Sequence, residues 1–572
     1  MVFRRRQPSV SPLASLSDPS VEYARDPGAN GSARPRLSKR VKRALQLTLA
    51  SILVVSAADI AFMSRSFGAP ADPLDDRTDV PTPVPVLSPR RVVDLIGEVG
   101  GAPAVVARAN ELFSNERMGS ATASSCVVVR QAGRTIVSLG ADRPVIPAST
   151  MKLITATAAL DRLGAEAVLT TAVTATSVPS NGVLTGDLHL VGGGDPLLST
   201  ADYLATFERQ PQVATSLEEL ADKVAALGFT RITGDLVGDD RLFDGKRSIP
   251  SWKESYLANG EVGPLSALAV NDGFARTVSK KKNAKVLFKA NDDPAGTAAV
   301  TFAALLADRG VALEGTARSV KADEVVATQQ LATIASLPVN EIVGEMLTQS
   351  DNTTAEMLLK LISVDAGTKP GTTAGGLAAV KQVLTERRID PAAFTLVDGS
   401  GLDRANKITC LALVQAIEAA PEELRSSLPV AGESGTLIER MLGDAVRGKV
   451  RAKTGTLNGV SALAGDIATR GGGRVEFAMV LNDLPAGVQG TATGDEMAIA
   501  IAGYPVYVPT QPTTTVPPTD LPSDPSSTVA QAQDDPSTTR PTTVRVDTRP
   551  RPLDLQLMAP PTIDQSLLPD GQ

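Results

Sequence analysis

Three short motifs occur in a fixed order along the 572-residue chain: Ser149-Thr150-Met151-Lys152, Ser350-Asp351-Asn352 and Lys453-Thr454-Gly455-Thr456. They supply a serine hydroxyl and two amines in a chain whose one histidine is His189. A serine hydroxyl is a poor nucleophile until a base takes its proton. With a single histidine in the chain, lysine is the base on offer. Residues three apart share one helix face, so Lys152 lies one turn beyond Ser149 if the first motif opens a helix. The field at a helix N-terminus also favours negative charge on or near Ser149. Lys152 can take a proton only if its pKa falls, which burial or a nearby cation achieves, and Lys453 is the candidate neighbour. The chemistry implied is acyl transfer through a covalent serine adduct, without a Ser-His-Asp triad.

Each motif alone is weak. Ser279-Lys280-Lys281-Lys282 repeats the first pattern in what reads as a solvated basic turn. Ser350-Asp351-Asn352 alone reads as a cap between helices, and Lys453-Thr454-Gly455 as a strand end turned by glycine. Their joint occurrence, in this order and on helix, loop and strand in turn, carries the reading.

The elements that must position them are legible. Leu153, Ala156, Leu160 and Leu163 fall on one face, which predicts a helix over 151–163, with Pro147 and Ser149 at its start. Glu341 to Leu347 and Ala355 to Ile362 read as helices joined by a short connection that holds Ser350. Cys126 to Arg130 and Thr135 to Leu139 read as strands paired around Gln131-Ala132-Gly133. Val450 to Lys453, Val460 to Ile467 and Val475 to Leu481 read as successive strands. Almost two hundred residues separate the first two motifs, a strand-rich insert. It holds a weak internal echo, Gly186 to Asp195 against Gly234 to Asp240. The glycines at 192–194 are no phosphate loop, since no Gly-Lys-Ser/Thr follows.

Outside this region the composition changes. Residues 1–43 carry ten Lys or Arg against Asp18, Glu22 and Asp26 and read as a disordered basic leader. Residues 44–64 are nearly all apolar, long enough for one membrane-spanning helix. The flanking basic cluster would place the N-terminus in the cytoplasm and the bulk of the chain outside, as a single-pass protein. Ser56-Ala57-Ala58 offers a cleavage site, so a signal peptide and an exported chain is the competing reading. Residues 65–90 form a Pro-rich linker. Residues 508–572, dense in Pro, Thr, Ser and Asp, form a tail that cannot bury enough apolar surface to fold.

Hydrophobic content of 42% and charged content of 21% are ordinary for a globular protein, and the net charge is −7. With the leader at about +7, the remainder is about −14, which is no nucleic-acid-binding balance. Cys126 and Cys410 are the only cysteines. They form one bridge if the protein is exported, or stay as two separately buried thiols. His189 reads as a strand residue of the insert. No metal-ligand spacing stands out, and neither a metal nor a cofactor is expected.

Longer contexts sharpen the picture: Pro147-Ala-Ser-Thr-Met-Lys-Leu-Ile-Thr-Ala, Gln349-Ser-Asp-Asn-Thr-Thr-Ala-Glu-Met-Leu-Leu, Asp398-Gly-Ser-Gly-Leu, Leu428-Pro-Val-Ala-Gly-Glu-Ser-Gly-Thr-Leu and Val262-Gly-Pro-Leu-Ser-Ala-Leu. Over about residues 91–507 the chain resembles the D-alanyl-D-alanine carboxypeptidase/endopeptidase family of class C low-molecular-mass penicillin-binding proteins. The resemblance implies an α+β fold of the β-lactamase/transpeptidase-like type, an antiparallel sheet flanked by helices. It implies a peptidase domain of residues 91–165 plus 336–507 and an accessory insert of residues 166–335. The long insert distinguishes such proteins from compact class A β-lactamases.

The resemblance also implies roles. Ser149 is the acylated nucleophile, Lys152 its base, and Ser350 the relay of a proton to the leaving D-alanine. Asn352 holds the substrate amide, while Lys453 and Thr454 bind the terminal carboxylate. The backbone N–H groups of Ser149 and Thr456 form the oxyanion hole. The expected partners are peptidoglycan stem peptides ending in D-Ala-D-Ala, β-lactam inhibitors, and the membrane through the N-terminal helix. A β-lactamase or esterase of the same fold, and a non-catalytic wall-binding protein, are the alternative readings.

Overall fold

Successive residues of a strand point to opposite faces, and Cys126 to Val129 show what this does here. In the computed structural model Cys126 and Val128 pack into one apolar core and Val127 and Val129 into another. A sheet buried on both faces therefore organises the chain. Residues 89–505 are described, except 208–211, 279–285, 326 and 328. The expected leader, apolar segment 44–64, tail and second Ser-x-x-Lys pattern at 279–282 lie outside the described residues, as does the linker up to residue 88. Among the described residues no helix is long and apolar enough to cross a membrane.

In chain order, the first elements are helix α1 (Pro89–Leu112), strands β1 (Cys126–Gln131) and β2 (Arg134–Leu139), and helix α2 (Met151–Leu163). The insert contributes β3 (Thr170–Ala175), β4 (Leu188–Val191), α3 (Leu217–Ala225), β5 (Leu236–Asp239), α4 (Pro294–Ala307), β6 (Ala317–Ser319) and β7 (Gln329–Ala335). Then follow α5 (Val339–Gln349), α6 (Asn352–Asp365), α7 (Thr373–Glu386) and α8 (Cys410–Glu418). Strands β8 (Val450–Leu457), β9 (Val460–Ala468) and β10 (Arg474–Leu481) precede the last helix, α9 (Gly490–Ala502).

The main sheet has the order β8-β9-β10-β1-β2, antiparallel throughout. Phe477 and Met479 join Val105, Ala109, Met497 and Ile501 on the face covered by α1 and α9. Ala462, Ala464, Ala478 and Val480 face the core shared with α2, α6, α7 and α8. Small residues on this second face let helices approach the strands closely. This is the antiparallel sheet flanked by helices that the sequence led us to expect. Helix α2 differs from its expected one-sided pattern: every residue from Met151 to Leu160 is buried. It runs through the middle of the helical layer, so its Thr and Ala positions are core as well. Cys126 and Cys410 form a disulfide that ties β1 to the start of α8, resolving the choice the sequence left open.

The insert enters on β3 and leaves on β7, and these two strands pair antiparallel from Thr170–Ala335 to Ala175–Gln329. Its five-stranded sheet has the order β6-β5-β4-β3-β7, with β4, β5 and β6 parallel. Parallel neighbours need crossover connections, here supplied by α3 and α4, whose Leu220, Val224, Ala298 and Phe302 pack on Leu188, Leu190 and Leu236. The sequence echo is real geometry: Leu188 pairs with Leu236 in register. A third copy, around Gly315, was hidden because its strand reads Ala317-Arg318-Ser319. A Cβ on Gly234 would lie 2.6 Å from the Gly186 carbonyl oxygen, and one on Gly315 2.3 Å from that of Gly234. Glycine at these positions lets the three copies stack. The insert also reaches into the helical layer: Phe243 and Ala267 belong to the main core, and buried Lys360 on α6 donates to Asp244 at 2.6 Å.

A disulfide closing so long a loop constrains the unfolded chain. Reduction should lower stability by about 2–4 kcal/mol, seen as a lower Tm with reductant, and mass analysis should find two alkylatable thiols only after reduction.

Candidate active site

Pro147 and Ala148 lead into a tight 3₁₀ turn over Ala148–Thr150, and α2 begins at Met151. Ala148 has φ 47°, a conformation that costs a non-glycine residue energy. Thr150 donates its hydroxyl to the Pro147 carbonyl at 2.7 Å and fixes the turn. Ser149 thus sits just before the helix, half-buried, and Lys152 lies one turn on, with Nζ 3.2 Å from Ser149 Oγ. Lys152 is fully buried, and its amine also contacts Asn352 Oδ1 at 2.6 Å and the Ser400 carbonyl at 2.9 Å.

The second motif is a helix junction. Ser350 ends α5 in the left-handed conformation, φ 66° and ψ 32°. Asp351 caps α6, accepting from Thr353 N at 2.8 Å and Thr354 N at 3.3 Å. The junction is a helix cap, as the residue pattern suggested, and it places Ser350 at the lining of the cleft. The third motif lies on edge strand β8. Lys453 is fully buried and donates to Ser350 Oγ at 2.8 Å and to the Thr454 carbonyl at 2.9 Å. Thr454 Oγ1 meets Thr436 Oγ1 at 2.9 Å. A Cβ on Gly455 would stand 3.1 Å from Ser149 N and 3.0 Å from the Pro147 carbonyl, so glycine there lets β8 pass against the serine turn. Thr456 is the next residue of that strand, exposed and paired with Ser461.

Ser149, Lys152, Ser350, Asn352 and Lys453 are therefore linked in one cleft, with Thr454 and Thr456 along its β8 edge. Sequence reasoning missed the groups that hold them. Asn352 Nδ2 donates to the Glu261 carbonyl at 2.6 Å, and Thr353 Oγ1 accepts from Gly263 N at 2.9 Å. The insert thus braces the second motif. The loop 398–402 presents the Ser400 carbonyl to Lys152 because buried Glu356 Oε1 accepts from Gly399 N at 2.9 Å and Ser400 N at 2.7 Å. Asp398 accepts from Trp252 Nε1 at 2.9 Å and from Asn406 Nδ2 and Gly401 N at 2.7 Å. The segments 398–402 and 428–437 stood out in the sequence, but backbone carbonyls carry no residue signature.

Burial decides the electrostatics. It pushes Lys152 down to about 8, against the opposing pull of Asp351, Asp398 and Glu356. Burial, with repulsion from Lys152, holds Lys453 well below the ordinary lysine range. Of the two causes the sequence offered, burial or a nearby cation, burial dominates at both amines. Burial and Asp398 push Glu356 up to about 8. Beside Ser350 and Asn352 opens a cavity lined by Tyr203, Phe207, Glu261, Asp272 and Glu345. Burial raises Asp272 to about 8 there, with Asp351 adding to the effect.

A serine and a lysine at a helix start, a serine and asparagine at a helix junction, and a lysine on an edge strand define a serine acyl-transfer site on an α+β scaffold. Residues 105–285 and 276–503 match the D-Ala-D-Ala carboxypeptidase 3 (S13) family. The chain is 30% identical over 466 residues to the D-alanyl-D-alanine carboxypeptidase of Actinomadura sp. (strain R39), covering 69% of this chain and 83% of that protein. It is 31% identical over 380 residues to carboxypeptidase DacB of Mycolicibacterium smegmatis, covering 64% of this chain and 78% of that protein. Its fold is similar to the crystal structure of penicillin binding protein 4 (dacB) from Haemophilus influenzae, with TM-score 0.58 and 21% identity over 68% of this chain and 97% of that one. The chain belongs to the D-Ala-D-Ala carboxypeptidase 3 (S13) family.

A base must be neutral to accept a proton, and the neutral fraction of Lys152 grows as pH rises through about 8. Acylation by benzylpenicillin should therefore rise about tenfold per pH unit below that value and level off above it, measured as the second-order rate of adduct formation. Glu356→Ala frees the loop bearing the Ser400 carbonyl and should slow acylation about 10- to 100-fold, about 1.4–2.7 kcal/mol. Glu356→Gln, which keeps an acceptor oxygen, should stay within a few-fold of wild type and shift the pH profile little.

Proposed function

We propose that the protein is a serine-type D-Ala-D-Ala carboxypeptidase that trims peptidoglycan stem peptides through an acyl-enzyme on Ser149, and that β-lactams acylate the same residue. The contact between Lys152 Nζ and Ser149 Oγ, 3.2 Å in a buried site, carries this reading. Lys152 takes the Ser149 proton as Oγ attacks the penultimate D-alanine carbonyl. Asn352 Oδ1 and the Ser400 carbonyl hold the amine in place for that step. The backbone N–H groups of Ser149 and Thr456 face the developing oxyanion, a contribution of about 3–4 kcal/mol per donor. The proton taken up by Lys152 returns by way of Ser350, which Lys453 holds, to the leaving D-alanine amine.

Lys453 and Thr454 take the terminal carboxylate. A carboxylate arriving beside Lys453 favours its protonated form and offsets the burial that depresses it in the empty cleft. The cavity next to Ser350 and Asn352 gives room for the rest of the stem peptide. Release of the acyl group by water completes hydrolysis. Action on cross-links, as an endopeptidase, would use the same steps with a longer leaving group. The basic leader and the apolar segment 44–64 support a membrane-anchored or exported enzyme whose catalytic region faces the cell wall.

Ser149→Ala should abolish covalent labelling by a fluorescent penicillin and cut D-alanine release from a defined pentapeptide muropeptide to below about a thousandth of wild type. Labelling at the wild-type level would overturn the assignment. A penicilloyl adduct that persists marks the peptidase, whereas rapid turnover marks a β-lactamase.

A further inference from the structure

The one histidine of the chain lies outside the cleft and has no role in the chemistry above. Leu188 and Leu190 on β4 face the core under α3 and α4. Alternation therefore turns His189, and Asp187 two residues before it, to the other face of the insert sheet. His189 is 2% exposed, yet among the described residues neither ring nitrogen has a hydrogen-bond partner. A buried polar group without a partner costs free energy and calls for an explanation. One ring nitrogen of His189, one carboxylate oxygen of Asp187 and one of Glu324 lie within 4.8 Å of one another.

These carboxylates keep acceptor capacity. Asp187 Oδ1 accepts from Asp235 N at 2.7 Å, while among the described residues Oδ2 has only Arg318, at 3.9 Å. Glu324 accepts from Arg318 with Oε1 at 2.8 Å and Oε2 at 2.7 Å, and Oε2 also takes Lys321 N at 3.0 Å. That leaves a lone pair on Oε1. Arg318 is anchored elsewhere, on Asp235 at 2.7 Å. The charges that act on the imidazole are the carboxylates of Asp187, Glu324 and Asp239 against the guanidinium of Arg318, an excess of two negative charges. The side chains of Asp187 and Glu324 are 35% and 17% exposed, so the site opens to solvent on their side.

We infer that Asp187, His189 and Glu324 form a binding site for one divalent cation of the zinc class, with one imidazole nitrogen and two carboxylate oxygens as ligands. A neutral imidazole with two carboxylates is a donor set that zinc takes, at about 2.0–2.2 Å per bond. Bonds of that length bring tetrahedral ligands to about 3.4 Å apart, so donors within 4.8 Å of one another draw together by up to about 1.4 Å. The cation balances the excess charge, partners the buried imidazole, and leaves Arg318 on Asp235 and Glu324 as an outer support. It ties β4 to the connection between β6 and β7, and it is structural, since no reacting group adjoins it.

A one-histidine protein makes the test direct. The full chain, without a polyhistidine tag, is labelled with nitrogen-15, stripped with chelator and titrated with zinc sulfate. The single set of imidazole signals should shift to a zinc-bound position and saturate at one equivalent, with a rise in Tm. Asp187→Asn and Glu324→Gln should remove both effects while an unchanged circular dichroism spectrum and a cooperative melt show that each variant is folded. Imidazole signals unmoved by one equivalent of zinc, or a shift that persists in both variants, would overturn the proposal. So would an imidazole N–H found hydrogen-bonded to either carboxylate and indifferent to zinc. None of these outcomes depends on the role of Ser149.

Discussion

Two lysine amines are buried in one cleft, and among the described residues no carboxylate hydrogen-bonds to either. Lys152 is met by a hydroxyl, an amide oxygen and a backbone carbonyl, and Lys453 by a hydroxyl and a carbonyl. A buried ammonium lacking an ion-pair partner is expensive, so burial eases loss of the Lys152 proton, while the N–H groups must still be satisfied. Every element around the cleft answers to that requirement. Helix α2 carries the amine, the α5–α6 junction brings the Asn352 oxygen, and the loop 398–402 brings the Ser400 carbonyl.

The supporting contacts show how far the requirement reaches. The loop 398–402 is held by Glu356, itself buried on α6, and by an Asp398 network that includes Trp252 from the insert. A Cβ on Gly401 would lie 1.9 Å from the Ala148 carbonyl, so this loop packs directly on the serine turn. Gly455 allows the same closeness from the strand side. The double-sided sheet sets the distance between these pieces: alanines at 462, 464 and 478 seat the helical layer close to β9 and β10. The disulfide from Cys126 to Cys410 clamps that layer to β1.

The insert is more than an attachment. Its three stacked strand copies form a sheet with its own core, yet Glu261, Gly263, Phe243 and Asp244 reach the second motif and helix α6. Opening or loosening the insert would therefore be felt at Asn352, which joins Lys152 to the Glu261 carbonyl through the two ends of one amide. Charge on the far side of the insert sheet is organised separately, around Arg318 and the single histidine.

The three motifs, the helix behind Ser149, the paired first strands and the last three strands were all legible in the sequence. Each is a local signal: a period of 3.6 or 2, a glycine, or a fixed spacing between reactive side chains. The pairing of two insert segments was visible as an echo, while the third copy, with Ala317 where the others have leucine, was not. The sequence alone put the serine hydroxyl and the lysine amine of the first motif one turn apart, within reach of each other. Only the tertiary structure decided that burial is the main force depressing Lys152, that Asn352 and the Ser400 carbonyl hold it, and that Glu356 sets the loop. It also decided that the cysteines pair and that Glu324 meets His189. Backbone carbonyls have no residue identity, and burial is a property of the packed chain, so neither can be read from one segment at a time.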